Sequence, residues 1–244
     1  MKVLLVDDHP LILAALQAVI KGLGDDVVVV GVDSARAAND ELARDPTFDL
    51  VLLDLSLGDG DGFEVLSAMR QQYPALPVVV VSATERTSDV IRSIDMGAMG
   101  FVPKRASNRD LFEALRMVMS GGVYIPPMML GLMNAPAPEG DTVPSVMQTV
   151  GEHAQPTLSQ LQPRTLEEMG LTPRQTEVLA LLLKGLPNKL IARELNVSVE
   201  TVKDHVAAVL RTLNVSSRTQ AVLAVSQILQ GQLAMPTSAR PTQR

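Results

Sequence analysis

The chain has 244 residues, enough for one large or two modest domains, since a domain takes roughly 100 to 200 residues; we expect two. Hydrophobic residues make up 46% and charged residues 20%, which excludes a disordered protein, and the absence of Cys excludes disulfides and cysteine nucleophiles. Residues 1–120 contain 11 basic and 18 acidic residues, and residues 165–230 contain 7 basic and 6 acidic residues. Neither part is basic enough to bind polyanions by its overall charge alone.

The N-terminal stretch MKVLLVDDHP contains an apolar run of at most five residues. This run is too short for the core of a signal peptide. No later stretch approaches the roughly 18 apolar residues that a membrane span needs. The sequence therefore predicts a cytoplasmic protein with no membrane partner.

Residues 1–120 predict an α/β domain. Short apolar runs predict five strands, at residues 2–6, 27–30, 50–53, 77–81 and 99–102. Segments with apolar residues three or four positions apart lie between these runs and predict helices. Because apolar strands separated by helices form parallel sheets covered on both faces, we expect a doubly wound sheet of five parallel strands.

Residues 121–165 hold seven of the sixteen prolines and no sustained helical period, which predicts a flexible Pro-rich linker. Residues 166–230 then predict an all-α domain of four helices. A short helix, NKLIAREL, a tight turn at Asn196 and a longer helix capped by Ser198 form a helix-turn-helix. We expect residues 231–244 to be a flexible tail.

Polar residues mark the carboxyl ends of the predicted strands. They are Asp7 and Asp8 after the first strand, Asp54 at the end of the third, Ser82 at the end of the fourth and Lys104 after the fifth. Ligands of open parallel sheets bind at these ends, so we expect the five side chains to converge. Taken singly, Asp7 and Asp8 would more often be caps or loop residues, Ser82 a strand-end hydroxyl and Lys104 a surface lysine.

Three carboxylates packed this closely repel one another, and a hard divalent cation relieves the repulsion. We predict a Mg²⁺ site that takes Asp8, Asp54 and the main-chain carbonyl of Ser56. An oxygen of Asp54 can then attack a phosphoryl group. Lys104 would neutralise the charge that builds on the phosphoryl oxygens, and the Ser82 hydroxyl would hydrogen-bond one of them.

The motifs VDDHP, LLDLSLGDGDG, VVVVSA and GAMGFVPK occur together in the order and spacing of one known family. Residues 1–120 resemble the flavodoxin-like receiver domain of bacterial two-component response regulators. The resemblance implies a sensor histidine kinase as phosphate donor. It implies these roles: Asp54 as phosphoacceptor, Asp7 and Asp8 as the acidic pocket that holds Mg²⁺ with Asp54, Ser82 and Phe101 as a switch pair, and Lys104 as a contact of the acyl phosphate.

Three residues depart from the pattern of that family. Gly58 stands where Pro is usual, Phe101 replaces the commoner Tyr, and Arg105 follows Lys104 where many relatives have Pro. None of these changes removes an acid, the hydroxyl or the lysine, so phosphorylation is still expected.

Residues 168–230 resemble the LuxR-type helix-turn-helix of the NarL/FixJ class through LTPRQTEVL, GLPNKLIAREL, SVETVKDHV and SSRTQAV. By this resemblance Lys203, Asp204 and Ala207 face base edges in the major groove. The candidates for contacts with DNA phosphates are Asn188, Lys189, Thr201, His205, Arg211, Ser217 and Arg218. Without the resemblance, a helical protein-binding module would be as good an interpretation.

Together these features predict a phosphorylation-controlled transcription factor and not an enzyme. We expect the unphosphorylated domains to be packed together or poorly dimerised. Phosphorylation would draw Ser82 and Phe101 inward and lead to a homodimer on promoter DNA, with RNA polymerase as a further candidate partner. Three alternatives stay open: a regulator that acts through protein contacts of its helical domain, a phosphate-ester hydrolase, and a regulator of the same fold that is independent of phosphorylation.

Overall fold

The computed structural model describes residues 1–128 and 170–229, and the side chains of the second range through residue 225. Most of the predicted linker, residues 129–169, and the predicted tail at 231–244 lie outside the described residues. The first range forms an α/β domain and the second a helical domain. Neither range contains a helix that is long and apolar enough to cross a membrane.

The first domain is built on a sheet of five parallel strands: β1 (Lys2–Val6), β2 (Val28–Val32), β3 (Leu50–Asp54), β6 (Val78–Ser82) and β7 (Gly100–Pro103). Their spatial order is β2-β1-β3-β6-β7, which confirms the predicted doubly wound sheet. Between β3 and β6, the short strands β4 (Ser56–Leu57) and β5 (Gly60–Asp61) pair antiparallel, and the sequence did not predict this hairpin.

Helices cover both faces of the sheet. They are α1 (Pro10–Lys21), α2 (Ala35–Arg44), α3 (Gly62–Gln72), α4 (Thr87–Asp95) and α5 (Asn108–Met119). Because strand side chains alternate between faces, Leu4 and Val6 pack with α2, α3 and α4, while Val3 and Leu5 pack with α1 and α5. The two resulting cores hold the strands, and so the strand ends, in fixed positions.

Four helices form the second domain: α6 (Pro173–Leu183), α7 (Asn188–Leu195), α8 (Val199–Thr212) and α9 (Arg218–Leu229). Thr172 and Gln175 form a capping box at the start of α6. Asn196 has φ 54°, a left-handed conformation that ends α7, and the Ser198 side chain caps α8 by accepting from the Thr201 amide. The predicted helix-turn-helix is therefore confirmed.

Helix α8 packs through an apolar stripe. Val202, Val206 and Val209, which lie four and three positions apart, are buried, and Leu210 is buried with them. Leu213, four positions after Val209, is only partly buried. These side chains pack against α6, α7 and α9, so that the opposite side of α8 is left for contacts outside the domain.

The α/β domain continues past its predicted boundary at residue 120. Tyr124 forms a parallel bridge with Gly100, and its main chain bonds to both Met99 and Phe101. The Tyr124 side chain is buried in the core under α5. Residues 121–124, which were assigned to the linker, therefore extend the edge of the sheet next to β7; the Gly residues that precede Tyr124 hid this segment in the sequence.

We expect Tyr124→Ala to lower the free energy of unfolding of the first domain by about 3 kcal/mol, because the change leaves a cavity beside β7. Tyr124→Phe keeps the ring and should cost less than about 1 kcal/mol. Urea unfolding followed by circular dichroism measures both variants. A Tyr124→Ala protein as stable as the parent would show that residues 121–124 do not belong to this domain.

Candidate functional site

The carboxyl ends of four neighbouring strands bring the predicted site together. Lys104 follows β7, and its Nζ lies 2.7 Å from Asp7 Oδ2, after β1, and 2.7 Å from Asp54 Oδ2, at the end of β3. Asp8 follows Asp7, and Ser82 ends β6 beside β3, one residue beyond the partner of Asp54. The convergence predicted from topology alone is thus present.

Burial gives this cluster its electrostatic character. Asp7 and Asp54 are each 1% exposed, whereas the side chain of Asp8 is 28% exposed. Burial raises the pKa of Asp54 above its ordinary value, and the hydrogen bond from Lys104 offsets only part of this rise. Burial alone would lower the pKa of Lys104, but its hydrogen bond to Asp54 and its ion pair with Asp7 raise the pKa overall, so the ammonium stays charged.

The loop after β3 holds Asp54 and closes over the pocket. The Ser56 amide donates to Asp54 Oδ1 at 3.2 Å. A Cβ on Gly58 would lie 3.1 Å from Asp8 Oδ2, tighter than ordinary contact, so glycine lets the loop approach the acids closely. Asp59 accepts hydrogen bonds from the amides of Ala35 and Arg36 at the start of α2, at 3.0 and 3.2 Å, and so ties the loop to that helix.

The predicted switch pair is already inside the domain. Ser82 and Phe101 are both 0% exposed. The Ser82 hydroxyl accepts from the Thr84 amide at 3.2 Å, and Thr84 Oγ1 donates to Asp89 Oδ2 in the first turn of α4 at 2.7 Å. The expected inward movement of Phe101 is therefore not available from this conformation, because a ring without a hydroxyl has nothing to keep it at the surface.

The acidic cluster has the geometry and donors of a divalent cation site. Asp7, Asp8, His9 and Asp54 each offer one ligand atom, and the four atoms lie within 4.8 Å of one another. Two of the carboxylate oxygens, Asp7 Oδ2 and Asp8 Oδ1, are buried without a well-directed hydrogen bond among the described residues. Carboxylate oxygens in need of a partner suit a hard cation, so these residues fit the predicted metal.

The helical domain presents its predicted base-reading residues differently. Lys203 on α8 has a side chain only 14% exposed, because its ammonium lies against the α/β domain. Asp204 is exposed and Ala207 is half-buried. The residue expected to lead DNA recognition is therefore covered in this conformation.

The predicted phosphate contacts fall into two groups. Lys189 and Arg211 are exposed, and Thr201 and His205 are half-buried. The other members make contacts inside the protein: Asn188 Nδ2 donates to the Ala75 carbonyl, the buried Ser217 caps the amide of Gln220, and Arg218 donates to the carbonyls of Leu182 and Leu186. Contacts with DNA stay a prediction for all seven residues, and Ser217 and Arg218 support the domain in this structure.

The sequence interpretation missed Arg70, in the last turn of α3. Its side chain is nearly fully buried, and Nε and Nη2 donate to the Ser216 carbonyl of the helical domain at 3.2 and 3.1 Å. Burial lowers the pKa of the guanidinium to about 10, so it remains charged at neutral pH. The sequence did offer one signal for its burial: Arg70 lies four residues after Leu66, on the buried side of the helix.

Comparisons with known proteins match both halves of the chain. Residues 3–116 match the response regulator receiver domain, and residues 169–225 match the luxR family of bacterial regulatory proteins. The chain is 33% identical over 230 residues to a glycerol metabolism activator of Pseudomonas putida, covering 93% of this chain and 96% of that protein. It is 31% identical over 227 residues to the nitrate/nitrite response regulator protein NarL of Escherichia coli K12, covering 92% and 94%.

A solved structure of two RcsB dimers bound to two parallel DNAs has a similar fold. Its TM-score is 0.51 at 21% identity, and the match covers 93% of this chain and 98% of that one. At this level of identity the likeness concerns the fold, in which the α/β domain precedes the helical one.

We expect Asp54→Asn to raise the free energy of unfolding at pH 7, in the absence of divalent cations, by about 1 kcal/mol. The pKa of Asp54 is higher in the folded protein, so this group favours folding at low pH, and its contribution is lost as the pH rises through the folded pKa. The neutral amide avoids that loss. The gain should therefore shrink as the pH falls through the raised pKa of the folded protein, because the carboxyl of the parent then takes up a proton.

Urea unfolding at several pH values between 4 and 7 measures this difference. Asp40→Asn, the same change on the exposed side of α2, is the matched control and should leave stability nearly unchanged. An Asp54→Asn protein that is less stable than the parent at pH 7 would contradict the electrostatic account of the pocket.

Proposed function

Since the chain belongs to the response regulators that join a receiver domain to a LuxR-type DNA-binding domain, we propose that its receiver covers the DNA-reading helix until Asp54 is phosphorylated. The protein is a phosphorylation-controlled regulator of transcription. The observation that carries the proposal is the position of Lys203, whose Nζ donates to the carbonyls of Pro46 and Phe48 in the receiver, at 2.9 and 3.0 Å.

Asp54 is the proposed phosphoacceptor, and a sensor histidine kinase the proposed donor. A carboxylate oxygen of Asp54 attacks phosphorus, the bond from phosphorus to the nitrogen of the kinase's phosphohistidine breaks, and its electron pair leaves with that nitrogen. Lys104, already in contact with Asp54, balances the charge on the phosphoryl oxygens. The Ser82 hydroxyl turns from Thr84 to donate to one of them. The protein acts stoichiometrically and not as an enzyme.

The three acids and the main-chain carbonyl of Ser56 would hold Mg²⁺. When bound, the cation supplies positive charge next to the transferred phosphoryl group. Support comes from the buried, poorly partnered oxygens of Asp7 and Asp8 and from the close approach of the loop at Gly58. An acyl phosphate would add a further dianion to this cluster, which one lysine alone cannot neutralise.

The closed arrangement depends on contacts from several parts of the receiver. Arg70 of α3 bonds to the Ser216 carbonyl, and Gln220 Nε2 of α9 bonds to the Asp95 carbonyl at the end of α4, at 2.9 Å. Asn188 of α7 bonds to the Ala75 carbonyl at 3.3 Å. With Lys203, these residues fix the helix-turn-helix against the receiver, so a DNA duplex cannot reach α8 until the domains separate.

Separation of the domains is not sufficient for tight DNA binding, which also requires a second copy of the helical domain. The helical region carries nearly balanced charge, 7 basic against 6 acidic residues over 165–230, so one copy should bind DNA weakly. A homodimer formed after phosphorylation would bind two half-sites and recover affinity. We place this activity in the cytoplasm, with promoter DNA as target and RNA polymerase as a candidate partner at the promoter.

The phosphorylation chemistry can be tested with a small phosphodonor. We expect acetyl phosphate with Mg²⁺ to add at most one phosphoryl group per chain, on Asp54, as measured by mass spectrometry. Asp54→Asn should take up no label, whereas Asp61→Asn, in the same loop, should be labelled as the parent is. Many rounds of phosphate release per chain, without accumulated label, would instead favour the hydrolase alternative.

The covering of α8 can be tested by weakening the contact made by Arg70. We expect Arg70→Gln to raise the DNA affinity of the unphosphorylated protein about tenfold, equivalent to about 1.4 kcal/mol. The affinity of the phosphorylated protein should stay unchanged, because its domains are already apart. Fluorescence anisotropy measures both, on a duplex selected from a random library by the phosphorylated protein.

Arg116→Gln, the same change on the exposed side of α5, is the matched control and should alter neither affinity. Labelling of Asp54 in the Arg70→Gln protein checks that the receiver remains folded. An equal rise in both phosphorylation states, or no rise in either, would rule out Arg70 as part of a closing contact.

A further inference from the structure

His9 lies beside the acidic cluster, but the proposed phosphoryl transfer and the proposed Mg²⁺ ligands, the three acids and the Ser56 carbonyl, do not include it. It precedes α1 at the N-cap position, but its side chain makes no hydrogen bond to the amides of that helix. The imidazole turns instead to the acids: Nδ1 lies 2.7 Å from Asp8 Oδ1 and 3.3 Å from Asp7 Oδ1. The side chain is 60% exposed, so the ring lies between the carboxylates and solvent.

The contact between His9 and Asp8 is close without being a directed hydrogen bond. Asp8 Oδ1 is buried and lacks a well-directed donor, although Nδ1 is at contact distance. Asp7 Oδ2 is in the same position: Lys104 Nζ is 2.7 Å away, but the directed bond from Lys104 goes to Asp54. Asp8 Oδ1, which Lys104 does not contact, is thus the oxygen that a metal ion would satisfy.

The distances match those between ligands of a single octahedral ion. With bonds of about 2.1 Å, neighbouring ligand atoms are about 3.0 Å apart and opposite ones about 4.2 Å. The two distances from Nδ1 to carboxylate oxygens, 2.7 and 3.3 Å, bracket the first value. One atom each from Asp7, Asp8, His9 and Asp54 lies within 4.8 Å of the others, an upper limit slightly above the second value.

Lysine and histidine address different oxygens of the cluster. Lys104 contacts Oδ2 of Asp7 and Oδ2 of Asp54. His9 contacts Oδ1 of Asp7 and Oδ1 of Asp8. The ammonium therefore does not occupy the place of an ion that His9 and Asp8 would share.

We propose that His9 supplies an imidazole ligand to the divalent cation of the acidic pocket and makes the site favour Mn²⁺ and later transition metals over Mg²⁺. Imidazole nitrogen is a good ligand for these metals, whereas Mg²⁺ prefers oxygen and keeps its waters. The inference rests on the proposed metal pocket, but it concerns which ion is held and by which atom, not whether Asp54 is phosphorylated.

The test uses the full-length protein and Mn²⁺ as probe. Pulsed electron paramagnetic resonance of bound Mn²⁺ should show the nitrogen coupling of a directly bound imidazole, and His9→Ala should abolish it. His9→Ala should weaken Mn²⁺ binding about tenfold, because losing a group that only positions a metal ligand already costs about this much in metal affinity. The Mg²⁺ affinity, measured by competition with Mn²⁺, should change less than about twofold, because water replaces the imidazole readily.

Leu11→Ala is the matched control, since Leu11 is 85% exposed two residues further along α1 and should leave both affinities unchanged. Bound Mn²⁺ without imidazole coupling in the parent would overturn the proposal, as would equal weakening of both metals by His9→Ala. Asp8→Asn separates the two levels of failure. If the parent protein binds Mn²⁺ as weakly as Asp8→Asn does, the acidic pocket is not a metal site. If Asp8→Asn loses Mn²⁺ while His9→Ala binds it as the parent does, the pocket is a metal site and His9 is not one of its ligands.

Discussion

The contact of Lys104 with Asp7 and Asp54 is the interaction on which the receiver site depends. One ammonium lies 2.7 Å from two carboxylates that are almost fully buried, while Asp8 adds a third negative charge beside them. Removing the ammonium would leave two buried carboxylates without a counter-charge and cost several kcal/mol, so the arrangement fixes the ends of β1, β3 and the segment after β7. The same arrangement leaves the cluster short of positive charge. That shortage is the physical basis for the proposed cation site and for the proposed need of a cation in phosphoryl transfer.

The contacts between the two domains have a different character. Arg70, Lys203, Asn188 and Gln220 all donate to main-chain carbonyls of the opposite domain. The ion pairs of the described residues, by contrast, lie within one domain or the other. Closing is therefore set by shape and hydrogen-bond geometry, and salt should affect it little, whereas DNA binding weakens steeply with salt. In the proposed open state Lys203 would leave the Pro46 and Phe48 carbonyls and become free to contact DNA.

The local features of the fold could be predicted from the sequence because they depend on neighbouring residues. Strand and helix positions follow from apolar spacing, and the capping box at Thr172 and the turn at Asn196 follow from side-chain chemistry at fixed offsets. The convergence of Asp7, Asp54 and Lys104 also followed, since parallel topology places strand ends together. Contacts between distant segments could not be predicted in this way. Tyr124 pairs with β7 across a Gly-rich turn. Arg70 contacts a domain more than a hundred residues away along the chain. Helical spacing indicates that Arg70 is buried, but it does not identify the partner that buries it.

The burial of Phe101 limits how phosphorylation can reach the domain contacts. Because this ring is already fully inside, its inward movement cannot carry the signal from this conformation.

A chain of hydrogen bonds runs from the end of β6 to α4. The Thr84 amide donates to the Ser82 hydroxyl, and the Thr84 hydroxyl donates to Asp89 in the first turn of α4. The far end of α4 holds Gln220 through the Asp95 carbonyl. In the proposed phosphorylated state the Ser82 hydroxyl would turn from Thr84 to the phosphoryl group, and α4, a short helix, would carry the change to the contact that its last residue makes with the helical domain. The contacts of this conformation therefore favour a route through the serine of the predicted switch pair and the helix that follows it over one through the buried phenylalanine.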